Sequence, residues 1–122
     1  MKITLIRPHL IQKRAADALE PLVFAILASL TPPDVELAFY DDRIEPIPFD
    51  QPTDLVALTV ETFTAKRAYQ IAAQYRKRGI PVVMGGFHPT LIPNEAQQYA
   101  DSVIIGDAEN VWPEIVRDAR TG

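Results

Sequence analysis

The chain is 122 residues long, 48% hydrophobic and 23% charged, with 12 Lys+Arg against 16 Asp+Glu and a net charge of −4. That length fits one compact domain with a core of its own, and the acidic balance argues against a dedicated nucleic-acid binder, which needs a basic face to neutralise phosphates. Cysteine is absent, which excludes disulfides, thiolate zinc sites, thiol nucleophiles and a Cys-ligated iron–sulfur cluster within these residues and fits the expected cytoplasmic location.

The N-terminal Met1–Ile6 is too short for a signal peptide and has no small-residue cleavage site. The longest apolar stretch, Leu22–Ala28, falls far short of the ~20 residues a membrane span requires. In chain order, the first predicted strand is Ile3–Ile6, bounded by Pro8. The segment from Arg7 to Leu19 is long for a loop, and loops of this length are usually functional or disordered; its Lys13-Arg14 reads as a solvated patch rather than a phosphate clamp. A helix then opens at Glu20-Pro21, with proline in the first turn where its missing N–H costs nothing, and runs to about Leu30. It is apolar almost all round, whereas a helix covered on one side only should carry a polar stripe. Either the sheet and the preceding loop cover it or another domain does, and partial cover by a partner is the preferred expectation.

Val35–Tyr40 is a second strand ending in Asp41-Asp42, and Leu55–Val60 is a third. The stretch between them carries Pro46, Pro48 and Pro52 without helical period, so this crossover is predicted to lack a full helix. A helix follows from Thr64 to about Arg78, with Ala65, Ala68, Tyr69, Ala72 and Tyr75 on one face and Gly79 and Pro81 stopping it. Pro81–Met84 is the fourth strand, Pro93–Tyr99 a short helix, Ser102–Ile105 the fifth strand, and Asn110–Ala119 the last helix. Continuous apolar runs alternating with helices signify a parallel sheet buried on both faces. Right-handed crossovers then favour a flavodoxin-like, Rossmann-like three-layer α/β sandwich with five parallel strands in the order 2-1-3-4-5.

In such a sheet, ligands bind outside the carboxyl ends of the strands, near the switch between strands 1 and 3. Those ends carry Arg7-Pro8-His9, Asp41-Asp42-Arg43, Glu61-Thr62-Phe63-Thr64, Gly85-Gly86-Phe87-His88-Pro89-Thr90 and Gly106-Asp107-Ala108-Glu109. Gly85-Gly86 would let a ring or chain approach the backbone closely, although a plain turn after a strand is the commoner reason for such glycines. No G-x-G-x-x-G follows a strand, and no P-loop is present. His9 and His88, with Asp41 or Glu61, lack the short spacing of a metal site, and satisfied loop histidines are the simpler reading. Thr59, Thr62 and Thr64 could donate to a polar ligand; equally, Thr59 reads as a buried strand residue and Thr64 as a plain N-cap.

Gly85-Gly86-Phe87-His88-Pro89-Thr90-Leu91 resembles the G-G-x-H-P-T segment of cobalamin-binding-type domains that precede radical SAM cores. Thr62–Tyr69 resembles the segment after strand 3 of the same group, and Gly106-Asp107-Ala108-Glu109 with Trp112-Pro113 resembles its G-E-x-E turn before the last helix. The resemblance covers nearly the whole chain, and the motifs are specific in combination and weak singly. It implies a single domain over 1–122, the N-terminal module of a multidomain enzyme whose downstream core holds S-adenosylmethionine and a 4Fe-4S cluster and carries out methyl transfer or related radical chemistry. Cobalamin domains that supply an axial ligand carry D-x-H-x-x-G after strand 1; here Arg7-Pro8-His9-Leu10-Ile11-Gln12 matches only the histidine. The resemblance thus implies cobalamin held without a protein histidine ligand, its nucleotide tail entering between strands 1 and 3, under Thr59 and over Gly85-Gly86. The residues it places about the cofactor are His9, Thr59, Glu61, Thr62, Gly85, Gly86, His88, Pro89 and Gly106; no residue is catalytic and none binds a metal. The alternative is a cobalamin-free structural domain of the same kind of enzyme. A receiver domain is excluded because the third strand ends in Val60-Glu61 rather than a phosphoacceptor Asp. A hydrolase is disfavoured because no nucleophile–base pair can be assigned.

Overall fold

The computed structural model describes residues 1–8, 22–42, 45–106 and 108–121. Its five strands are β1 (Lys2–Arg7), β2 (Glu36–Asp41), β3 (Leu55–Thr59), β4 (Val82–Gly85) and β5 (Ser102–Val103). They form one sheet in the order β2-β1-β3-β4-β5. Every pairing is parallel, with Ile6 beside both Tyr40 and Leu58, and Thr59 beside Gly85. The flavodoxin-like topology read from the alternation of elements is the one observed, and all carboxyl ends lie along one edge. His9, the Lys13-Arg14 loop, the Glu20-Pro21 helix start, Arg43 and Asp107 lie outside the described residues.

Because strand side chains alternate between faces, the apolar runs fill two separate cores. Ile6, Val56, Leu58, Val82 and Met84 pack under α2 (Ala65–Lys77), where Ala68, Ile71, Ala72 and Tyr75 are buried. Ile3, Leu5, Leu55, Ala57 and Val83 pack on the other face, under Phe24 and Leu27 of α1 (Leu22–Ser29) and Trp112 and Val116 of α5 (Trp112–Thr121). A short α3 (Phe87–Leu91) and α4 (Pro93–Ala96) complete the crossover from β4 to β5.

Several local expectations need correction. The Gly85–Leu91 segment is a turn for only one residue: from Phe87 it is helical, with Ile92 N–H donating to the His88 carbonyl at 2.9 Å. Its proline sits in the first turn, where no intrahelical donor is lost. The predicted core face of α2 holds, except that Tyr69 is half-buried at its flank and Ile71 takes a core position instead. Thr64 occupies the N-cap position of α2, but its hydroxyl turns back, accepting from Glu61 N–H at 3.0 Å rather than capping the helix. β5 is half its expected length, two residues. Among the α1 side chains that the structure describes, Ala25, Ala28 and Ser29 are exposed.

The crossover between β2 and β3 has no helix among its described residues, as its prolines foretold. Side chains do the covering instead. Ile47 is buried, Phe49 leans on Tyr75 at 5.2 Å, and the Arg78 guanidinium lies 5.8 Å over the Phe49 ring. Arg67 of α2 grips Asp42 with two hydrogen bonds, 2.8 and 3.1 Å, and this pairing raises the arginine's pKa. Such a forked contact fixes geometry as well as charge.

Candidate functional site

Loops at the carboxyl edge are stitched to one another. Val60 N–H donates to the Gly85 carbonyl at 2.8 Å, and His88 N–H donates to the Val60 carbonyl at 3.1 Å. Thr90 donates its hydroxyl to the Gly86 carbonyl at 2.8 Å and accepts the Gly106 N–H at 3.0 Å. The ends of β3, β4 and β5 thereby form one rigid rim.

On the α1/α5 side of this rim lies a small cleft with a cavity volume of about 30 Å³. Its floor is formed by Ala57, Thr59, Val83, Gly85 and Ile104. Its walls are Phe24 and Leu27 from α1, and Ala108 and Trp112 from the start of the last helical segment. The lining is apolar apart from the Thr59 hydroxyl, the composition that small-molecule pockets favour. The cleft sits over β3, β4 and β5, whereas the expected tail position was between strands 1 and 3. The reason is the alternation of side chains: Phe24 and Leu27 lean over the sheet centre and join the Ile3–Leu5 core, leaving the gap towards Ile104.

The two glycines of the rim have different reasons for being there. Gly86 has φ +109°, and a Cβ on it would lie 2.9 Å from both the N and O of Val60. Its bareness serves the close packing of the Val60 backbone. Gly85 would place a Cβ 3.5 Å from Ile104 Cβ, in ordinary contact on the cleft floor. Gly106 also has positive φ, +81°, with open space around its Cβ position; it makes the turn after β5.

His88 is buried and its ring is satisfied from within. Nε2 lies 2.9 Å from Glu95 Oε2 and Nδ1 lies 3.3 Å from Thr62 Oγ1. The Glu95 carboxylate accepts from Nε2, and the Thr62 hydroxyl, which can donate or accept, faces Nδ1. The contact joins the 3₁₀ turn Thr62–Thr64 to α3 and α4 on the α2 side, away from the cleft. Pro89 is fully buried. Next to this group, Tyr69 stacks on Tyr99 with centroids 4.0 Å apart. Its hydroxyl is buried without a hydrogen-bond partner among the described residues. Burial first, and then the nearby Glu95 charge, push its pKa up to about 12.

Of the residues predicted from sequence, the cleft therefore gathers Thr59, Gly85 and Gly86. His88 and Pro89 are turned into the core, and Thr62 contributes to the histidine's surroundings. Glu61 holds the turn after β3, and Gly106 sits on the rim. His9 lies outside the described residues. Sequence reasoning missed Phe24, Leu27, Ile104 and Trp112 as cleft residues. The lone tryptophan, set one turn beyond the rim glycine, was the available signal. No group of three or more potential metal ligands occurs among the described residues, and no helix there is long and apolar enough to cross a membrane.

No protein-family model matches the chain. Two curated relatives, both from Chlorobaculum tepidum, are similar to it. Bacteriochlorophyllide d C-8(2)-methyltransferase is 39% identical over 98 residues, 80% of this chain and 22% of that protein. Bacteriochlorophyllide d C-12(1)-methyltransferase is 38% identical over 104 residues, 84% of this chain and 23% of that protein. The chain thus spans less than a quarter of the length of the curated relatives it matches.

Proposed function

We propose that this chain is a cobalamin-binding module serving a radical SAM methyltransferase, with a catalytic core carrying S-adenosylmethionine and an iron–sulfur cluster as its partner. The reading is supported by the apolar cleft at the carboxyl edge of the parallel sheet, together with the likeness to two bacteriochlorophyllide methyltransferases. The residues present fit part of the cofactor. The lining by Gly85, Ile104, Phe24 and Trp112, with Thr59 as its polar contact, matches a largely apolar ring of the nucleotide tail in chemistry but not in size, since its free space is about 30 Å³ and the walls would have to part to admit a ring. Cobalamin supplies methyl-carrying chemistry at its cobalt. This chain supplies a rigid rim, exclusion of water from the buried ring, and orientation. His88 is no candidate cobalt ligand, because Thr62 and Glu95 face its nitrogens. The cofactor is held without an imidazole from the described residues.

A second reading, a cofactor-free structural partner of the same kind of core, draws on a specific observation. The space at Gly86 and the ring of His88 are both used up by internal packing, so the G-G-x-H-P-T segment is accounted for without a ligand. Titration with hydroxocobalamin, followed by visible absorbance, separates the two. Saturable binding on the order of tens of micromolar is expected, since a shallow site forfeits part of its contacts to the absent partner. No saturable change favours the structural reading. Tight binding would contradict a pocket completed by a second domain.

A further inference from the structure

Among the described residues, four of the six large hydrophobic side chains left exposed fall between β4 and the last helical segment: Leu91, Ile92, Tyr99 and Ile105. Leu91 and Ile105 are the barest, at 60% and 61%. Each adjoins one partner of a hydrogen bond, Gly106 N–H to Thr90 Oγ1 at 3.0 Å, which ties the two stretches together at the rim. Alternation along the strand agrees. Val103 packs on the α2 core and Ile104 on the opposite one, so Ile105 returns to the α3 side. Ile92 follows Leu91 and is held by its N–H on the His88 carbonyl. The result is a fixed apolar corner at the carboxyl rim. Single exposed hydrophobics are ordinary, but a rigid group of them marks a contact surface.

Size and charge select the occupant. The corner exposes apolar area on the order of a few hundred Å². A stable dimer of free subunits buries about 800 Å² on each. Domains of one chain manage with less, because a tether keeps them at high effective concentration. A second copy would also bring together two net charges of −4. In both relatives, the part matched by this chain is under a quarter of the protein, so most of each chain is available to sit here. We propose that the Leu91–Ile92–Ile105 corner is the seat of the tethered catalytic core, an apolar contact made within one chain. The identity of that partner rests on the function proposed above; the exposed corner does not.

The test uses the full chain that its gene encodes. Residues 1–122 contain no cysteine. Leu91→Cys and Ile105→Cys therefore each place a single thiol in this part, and Ala73→Cys, exposed on α2, serves as the reference. Maleimide labelling is followed by mass spectrometry of the peptide that carries each site. Thiols at 91 and 105 are expected to react at least tenfold more slowly than the one at 73, at any protein concentration between about 1 and 100 μM. Adding Ile105→Asp to Leu91→Cys should restore fast labelling, since a charge is costly in an apolar contact. Labelling at 91 and 105 as fast as at 73 would overturn the seat. Protection that fades on dilution would also overturn it, by showing a second copy in that place, as would protection at 91 that survives Ile105→Asp. A chain that keeps both sites protected but binds no hydroxocobalamin would strike the cofactor reading and leave the seat standing. Cobalamin binding with both sites reactive would strike the seat alone.

Discussion

The two faces of the sheet are built from the same kind of strand residue yet end differently at the carboxyl edge. Under α2 the space is filled to the rim. α3 and α4 close it, His88 bridges Thr62 and Glu95, and Tyr69 stacks on Tyr99. Under α1 and α5 a small cleft remains at the rim, and the two helical walls are joined by a threonine–tryptophan hydrogen bond. The difference shows that an open α/β sheet does not make a ligand site merely by having a switch point. The cleft forms on the face where the crossovers stop short of the rim.

The comparison can be broken most severely at Gly86. Gly86→Ala should cost about 4 kcal/mol in denaturant unfolding, because strained φ and collision with Val60 backbone act together; a near-neutral result would show that the rim yields. Truncating one isoleucine on each face comes next. Ile71→Ala on the closed face should cost about 4 kcal/mol, leaving a sealed cavity. Ile104→Ala should cost about 2 kcal/mol, because its cavity merges with space already open to water. Equal losses would mean that the faces pack alike. His88→Ala should cost about 2 kcal/mol in the same assay while leaving cofactor binding unchanged, since its ring serves the closed face.

Gly85→Ala should move stability by no more than about 1 kcal/mol and yet weaken cobalamin binding, since its methyl would point at Ile104 on the cleft floor. Alkali sharpens the contrast further. Tyr69 and Tyr75 both have pKa values pushed from 10.0 to about 12, burial being the main cause. A raised folded-state value means that the folded form keeps its protons longer. Their contribution is whole below pH 10 and is lost as pH rises towards about 12. Both phenols stand on the closed face, so tyrosinate absorbance should show them ionising together with unfolding in that window. Free ionisation in the native protein would show that face to be loose.

Strand positions and order could be read from the residues because uninterrupted apolar runs and proline–glycine stops carry that information at short range. The missing helix before β3 was visible for the same reason, in its prolines. α3 was not, since five residues containing a proline show no period. Nor was the partnership of His88 with Glu95, which depends on the chain reversing between α3 and α4. The cleft lies at the carboxyl edge and is lined by Thr59, Gly85 and Gly86 among the residues singled out from sequence, and it overlies β3 and β4 rather than the gap between the first and third strands. Which strands it overlies depends on how far α1 leans across the sheet, and a helix apolar on every side gives no sign of that. Trp112 looked like a motif letter; only its bond to Thr31, 81 positions away, shows it to be a wall.

The sheet's two outer strands differ in length, six residues in β2 and two in β5. Unpaired backbone donors and acceptors on a margin are what foreign strands latch onto, and brevity is one of the ways proteins deny them a grip. At the β5 margin there is almost no ladder to extend, so the side of the molecule that carries the cleft is poorly suited to cross-chain β-pairing. Any tendency to polymerise by strand addition falls instead to β2, on the far side of the molecule.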